Sequence, residues 1–454
     1  MNNRNQTVLD DDRIGRLLLK LSLPAFFGMF VMTLYNIVDT IFIGHYVGPL
    51  GIAALSIVFP LQMLSMGVGQ MMGMGGASLI SRLIGANNTP RAERAVGNAI
   101  TTTIVLSAII MVAGLTDTDF WLKLMGSSDT ILPYARDYMS IILAGMLFPT
   151  FAMALNSLVR AEGNARIAMT GMIIGALSNI ILDAIFIIPL HMGIKGAALA
   201  TVIAQLISAL YLMSYYFSGK SFLKIHSKNL LLEWDILKAI LAIGIASFAR
   251  TLAGSLSTVF VNRMLVAYGG DYAVSAFGII NRIMMFAIMP GIVIGQGLQP
   301  ILGFNYGARH YARALKSIKI AIIAATTFCF LVFVVLYFAP GPVISIFTTD
   351  NELITLSSYA AKRIFLALYL IGFMMVGSLT FQSIGKATQS FITAISRSCL
   401  FLIPLILILP RFWQLDGVWL AFPIADALTF LLTLILLIPQ IRELKSRGSL
   451  AETA

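Results

Sequence analysis

The chain is poor in charge, in cysteine and in histidine. Only 11% of its 454 residues are charged, against about 25% in a soluble globular domain. That shortage excludes a protein that keeps most of its surface in water. The two cysteines, Cys329 and Cys399, both fall inside apolar runs. They read as small buried hydrophobes, so neither a disulfide framework nor a thiolate metal site is expected. His45, His191, His226 and His310 map to loops or to the ends of apolar runs, and none reads as a metal ligand. HExxH, GxSxG and the complete GxxxxGK[S/T] phosphate loop are all missing. The chain therefore reads as no enzyme, and no cofactor is expected.

What the chain has in abundance is apolar length. It is 58% hydrophobic, with a mean hydropathy of +0.89. Twelve stretches are long enough to cross a bilayer: near 17–44, 52–80, 95–115, 131–158, 167–188, 196–217, 236–267, 274–304, 314–339, 356–381, 391–410 and 417–438. None alternates as a barrel strand would, and lipid offers backbone groups no partner, so the spans are helices. Residues 1–15 are polar and include Asp10, Asp11 and Asp12, and no cleavable leader is expected. The net charge of +11 follows topology rather than nucleic acid. With the N-terminus inside, 22 of the 31 basic residues fall on cytoplasmic segments, Arg4 and Arg397 among them, and six on outer ones. This is the positive-inside pattern. It predicts a multi-pass protein of the inner (plasma) membrane with both termini cytoplasmic.

Shifted by 222 residues, the chain aligns with itself. Gly69, Gly73 and Gly75 meet Gly291, Gly295 and Gly297, and Gly163 meets Gly385. One residue is then lost, and Pro189 and Gly196 meet Pro410 and Gly417. Each half holds six spans, so both have one orientation in the membrane, with a substrate site expected between them. The expected fold is an all-α polytopic membrane protein, twelve transmembrane helices in two six-helix lobes related by pseudo-twofold symmetry. The lobes are drawn as 1–217 and 236–440, with a cytoplasmic linker at 218–235 and a tail at 441–454.

Two carboxylates interrupt the apolar runs of the first half. Asp183 lies in the fifth span, one turn after Asn179. Asp39 lies in the first, one turn after Tyr35. An ionised carboxylate at the centre of a membrane helix costs roughly 2.5–3.5 kcal/mol on insertion scales. The repeat serves as an internal control, since Asp39, Asn179, Asp183 and Thr201 align with Val261, Phe401, Leu405 and Phe422. The architecture alone needs no polar groups there. Counted from the span ends, Asp39, Asp183 and Thr201 sit at similar depth, with Tyr35, Asn179 and Gln205 one turn deeper. Such oxygen ligands suit a hard cation such as Na+, and two adjacent carboxylates can equally share a proton. The residues leave H+ and Na+ open as coupling ions, and no other metal is expected.

The twelve spans in two repeats, Pro24 in the first helix, Tyr35-Asn36-Ile37-Val38-Asp39 and Asn179-Ile180-Ile181-Leu182-Asp183 resemble the multidrug and toxic compound extrusion (MATE) family. The resemblance covers essentially the whole chain and is closest to the DinF-like branch, including MepA-type exporters. It implies an antiporter that expels lipophilic, often cationic compounds by alternating access. Asp39, Asn179, Asp183 and Thr201 would hold the coupling cation. Tyr35, Tyr138 and Asn156 would support them, and a bend at Pro24 would gate the first helix. The NorM-like branch places acidic residues in the seventh helix, where residues 251–268 have none.

In the second half, Asp426, Arg250, Arg263 and Arg282 fall within spans. Buried charges usually pair, so an ion pair of Asp426 with Arg263 or Arg282 is expected. Met285 and Phe286, near Arg282, are the candidate cavity residues, because flexible side chains suit a cavity that accepts many shapes. A lipid-linked precursor flippase, or another specific solute exporter, is the alternative, supported only by these arginines. Expected partners are small lipophilic or cationic molecules and the bilayer, with no nucleic acid and a monomeric state.

Overall fold

The computed structural model describes Leu9 and residues 13–453, with side chains through residue 449. Arg4 and Asp10 to Asp12, used above, lie outside the described residues. Among those described, the regular structure is helical throughout. Ten helices are long and apolar enough to cross a membrane, and a pair bent by 50° makes an eleventh span. The helix Trp234–Gly307 runs for 74 residues, far beyond one crossing, and breaks at Gly270 (φ 62, ψ −162). It is two spans, which brings the number to the expected twelve.

We label them α1 (Ile14–Tyr46), α2 (Pro49–Gly85), α3 (Thr89–Thr116), α4 (Leu132–Ala144 with Leu147–Ala161), α5 (Ala165–Ile187) and α6 (Gly193–Phe217). The two parts of Trp234–Gly307 are α7 and α8. They are followed by α9 (Tyr311–Phe338), α10 (Asn351–Ile384), α11 (Ala387–Ile408) and α12 (Pro410–Thr453). Large apolar side chains such as Phe217 and Phe338 stand in the open, 68% and 73% exposed. That is unsustainable in water and natural against lipid. The expected tail from 441 onward is a continuation of α12 as far as Thr453.

The sequence repeat is also a backbone repeat. Left-handed φ angles occur at Gly48 and Gly270, at Asn87 and Arg309, and at Gly163 and Gly385, each pair 222 residues apart. After the lost residue, Gly193 and Gln414 form a fourth pair. Most of these sites hold glycine, which alone takes positive φ at no steric cost. The turns between spans are therefore copied even where side chains are not.

The compact units do not divide at the linker. One is built on Leu23–Phe248; the other takes residues 13–22 and 249–453. The first turns of α1 thus belong with the second unit, and those of α7 with the first. Both arrangements use the same glycine of the repeat. A Cβ on Gly75 of α2 would stand 2.2 Å from the Ile240 carbonyl oxygen of α7, and one on Gly244 of α7 would stand 2.1 Å from the Met71 carbonyl oxygen. A Cβ on the equivalent Gly297 of α8 would stand 2.2 Å from Ser22 Oγ of α1. Backbones approach this closely in a membrane only where side chains are missing.

The segment drawn as a linker is packed into the first unit. Arg94 and Glu233 form an ion pair at 3.2 Å, and the Glu233 N–H donates to Asn98 Oδ1 at 2.7 Å. Gly97 lets the chain pass, since a Cβ there would lie 1.9 Å from the Asn229 carbonyl oxygen. Glu162, in the turn after α4, is 1% exposed. Its Oε2 accepts from Ser221 Oγ at 2.8 Å, Tyr215 Oη at 3.0 Å and the Phe222 N–H at 3.0 Å, while Oε1 has no partner. Burial outweighs these donors and pushes its pKa from 4.5 up to about 7. A raised folded value means that this packing is most stable below pH 4.5 and loses stability as pH rises through about 7. Hydrogen-exchange protection of the Phe222 amide, corrected for intrinsic rates, is expected to fall between about pH 6 and 8 in the unmodified protein and to lose that dependence in Glu162→Gln.

Candidate functional site

The polar cluster of the first unit is built from helix faces lined with small residues. On α5, Gly171, Gly175, Asn179 and Asp183 recur every four residues and form one buried row. Gly171 packs under Leu212 of α6 and Gly175 under Ser208, and Ser208 Oγ donates to the Gly171 carbonyl at 2.8 Å. This close approach brings Thr201 of α6 beside Asn179. On α1, Gly28 lies against Met172 and Met169 of α5. Tyr35 and Asp39 follow at seven and eleven residues, on the same face.

Asp183 is completely buried and Asn179 is 2% exposed, while Asp39 is half-buried. The Asp39 and Asp183 carboxyls are near enough to interact with one another. With its amide nitrogen toward the carboxylate, Asn179 donates to Asp183 Oδ2 at 3.1 Å, and its oxygen accepts from the Thr201 N–H at 3.3 Å. A carboxylate needs a donor, which decides this amide orientation over its reverse. Each aspartate keeps one buried oxygen, Oδ1, with no partner. Two neighbouring carboxylates with unused lone pairs have the chemistry to share a proton or to ligate a cation. Tyr35 and Tyr138 stand within electrostatic reach of both carboxylates.

Several expected members are placed elsewhere. Asn156 donates to the Ala168 carbonyl at 2.8 Å and accepts from Arg160 at 2.5 Å, so it fastens α4 to α5 and is no part of the cluster. Its place follows from its position along α4, 18 residues and about 27 Å of helix beyond Tyr138. The two halves of that span part at Gly145, where a Cβ would lie 2.3 Å from Val202, and Tyr138 and Asn156 sit on different halves. Gln205 is half-buried and makes no hydrogen bond to the cluster. Sequence reading missed Gln62 of α2, whose Nε2 donates to Tyr138 Oη at 3.0 Å. A lone amide inside an apolar span was the available signal. It also missed Glu162.

The same positions of the second half are apolar in space as well. Val261 and Phe422 are buried in one hydrophobic cluster, and Phe401 and Leu405 pack against it. Asp426 does not pair with Arg263 or Arg282, which are both exposed; Arg397 Nε donates to it at 2.5 Å. Arg397 lies inside α11, in a π-helical segment, Ser396–Leu402, just before Pro404. The widened turn accommodates the proline and turns Arg397 toward α12. Removing Asp426 would strand a guanidinium, at a cost of about 3–5 kcal/mol. Asp426→Ala is expected to lower the unfolding temperature sharply, with recovery in the double variant carrying Arg397→Met and no change in Arg263→Ala. Met285 and Phe286 are 58% and 40% exposed, one turn beyond exposed Arg282 on α8.

Twelve membrane-spanning helices in two homologous halves, one of them holding buried carboxylates with unused ligand oxygens, define a multi-pass membrane transporter. The MatE family profile matches residues 24–185 and again 242–408, one copy per repeat, and the chain belongs to that family. It is 28% identical over 411 residues to the multidrug export protein MepA of Staphylococcus haemolyticus, covering 90% of each chain. To MepA of Staphylococcus aureus strain MSSA476 it is 26% identical over 426 residues, 93% of each. Among solved structures, the MATE multidrug transporter DinF-BH in complex with rhodamine 6G matches with a TM-score of 0.87 at 42% identity, covering 94% of this chain and 97% of that one. A MOP superfamily transporter from Pyrococcus furiosus, described as having a binding pocket of reverse polarity, matches with a TM-score of 0.91 at 27% identity, covering 98% and 99%.

Proposed function

We propose that the protein exports lipophilic, often cationic compounds in exchange for H+ or Na+ bound at Asp39 and Asp183. The observation that carries this reading is the pair of buried, unpartnered Oδ1 atoms in a half whose repeat is apolar at the same positions. Two ionised carboxylates so placed repel one another in a low dielectric. A cation between them relieves that repulsion, and losing it restores the cost. Occupancy thereby biases any conformational equilibrium in which the two aspartates separate. Asn179 and Thr201 orient the Asp183 carboxylate, and Tyr35 and Tyr138 with Gln62 line the cluster. Pro24 supports a gating role, since it leaves the Lys20 carbonyl without its helical donor and lies two residues past the point where α1 passes from one unit to the other. The protein then works in the plasma membrane with both termini cytoplasmic, as a monomer with no resident cofactor.

Proteoliposomes loaded with rhodamine 6G test this. Efflux is expected to accelerate under an imposed inward H+ or Na+ gradient and to stop when the gradient is collapsed. Equal efflux with and without gradients, in folded protein, would remove the coupling.

A further inference from the structure

The spans of the second half hold the opposite charge. Arg250 and Arg263 in α7 and Arg282 in α8 are exposed, and among the described residues none has a carboxylate partner. Arg397 is different, because Asp426 neutralises it. Arg250 stands apart by its depth. It lies 16 residues from Trp234 and 20 from Gly270, about 24 Å and 30 Å along the helix, and so near the middle of the membrane. From there its side chain cannot snorkel to either interface. A guanidinium at that depth costs roughly 2.5–3.5 kcal/mol on insertion scales, and such arginines face water or an anion rather than lipid.

The surroundings hold this guanidinium in place without neutralising it. Arg250 Nη2 donates to Ser378 Oγ of α10 at 2.9 Å. Ser378 Oγ also lies 3.0 Å from Thr393 Oγ1 of α11, whose own proton is within reach of the Gln389 carbonyl at 2.8 Å. Both hydroxyls are buried, 5% and 7% exposed. Asp426 is tied to Arg397, one turn beyond Thr393, and pairs there rather than with Arg250. One nitrogen of the Arg250 fork is therefore tethered from behind, and the remaining N–H groups have no acceptor.

We propose that Arg250, held by Ser378, is an anion subsite that takes the carboxylate of an amphipathic substrate. The forked guanidinium matches a carboxylate with two parallel hydrogen bonds, and Ser378 holds the fork in position. This subsite rests on the exporter reading above and assigns to it a residue that meets the anionic end of a substrate.

The test uses a matched pair of rhodamines, the cationic ethyl ester and its free acid, titrated by fluorescence anisotropy against the purified full chain. The unmodified protein is expected to bind both. Arg250→Gln should weaken the free acid by about tenfold or more and leave the ester unchanged. Arg250→Lys should restore part of the loss, and Ser378→Ala should give a smaller loss of the same selectivity. Should Arg250→Gln fail to fold, the lysine and Ser378 variants carry the comparison. Equal weakening of both dyes, or of neither, overturns the subsite. So does an unmodified protein that binds the ester but not the acid, which leaves the exporter reading standing. Binding of neither dye would sink both.

Discussion

Asp183→Asn is expected to abolish gradient-driven efflux, to below about a tenth of the unmodified rate, while the protein still inserts and folds. The residue is fully buried, and its Oδ1 meets no protein donor. Asparagine keeps the shape and one oxygen but can neither take up a proton nor carry the charge that holds a cation. Folding should not suffer. Replacing a buried ionisable group removes a desolvation cost, and Leu405, the equivalent residue, already packs against an apolar cluster. Loss of coupled efflux with an unchanged or raised unfolding temperature separates a functional carboxylate from a structural one, which would lose both together. Asp39→Asn should behave alike, since its Oδ1 is equally unpartnered.

The second large effect is on folding. Gly244→Val is expected to eliminate most folded protein, because its Cβ would stand 2.1 Å from the Met71 carbonyl oxygen. Overpacking against side chains typically costs about 1–3 kcal/mol; here the obstacle is the backbone of α2, which cannot rotate away. Gly254→Ala, ten residues further along α7, meets nothing within 4 Å and should be close to neutral. Detergent-solubilised yield and unfolding temperature measure both. Normal folding of Gly244→Val would show that α2 and α7 do not meet as described.

Much of this architecture is legible in the residues. Apolar length marks the spans, and the 222-residue shift that aligns Gly75 with Gly297 also aligns the turns at Gly163 and Gly385. Asp39, Asn179, Asp183 and Thr201 stand out because their repeat partners are apolar, and the structure brings them together. What escaped depends on helix direction and close packing, which periodicity does not encode. Arg397 was placed on a cytoplasmic segment from the positive-inside pattern, so its pairing with Asp426 through a π-turn was missed. The unit boundaries escaped because α1 and α7 exchange their first turns, a consequence of contacts at Gly75, Gly244 and Gly297 rather than of any linker composition. Asn156 came from the family resemblance alone; it lies 18 residues beyond Tyr138 on α4, about 27 Å along a helix, and binds Ala168 and Arg160 instead. Glu162 is not legible as a buried group, since nothing local signals that residues 221–222 fold back onto it.

The most direct test of the central claim is ion release on substrate binding. Rhodamine 6G added to purified protein in weakly buffered detergent solution should displace H+, read with a pH dye, or Na+, read with a Na+-selective electrode. The release should vanish in the protein carrying both Asp39→Asn and Asp183→Asn. Undiminished ion release from that double variant would place the coupling site elsewhere and contradict the account.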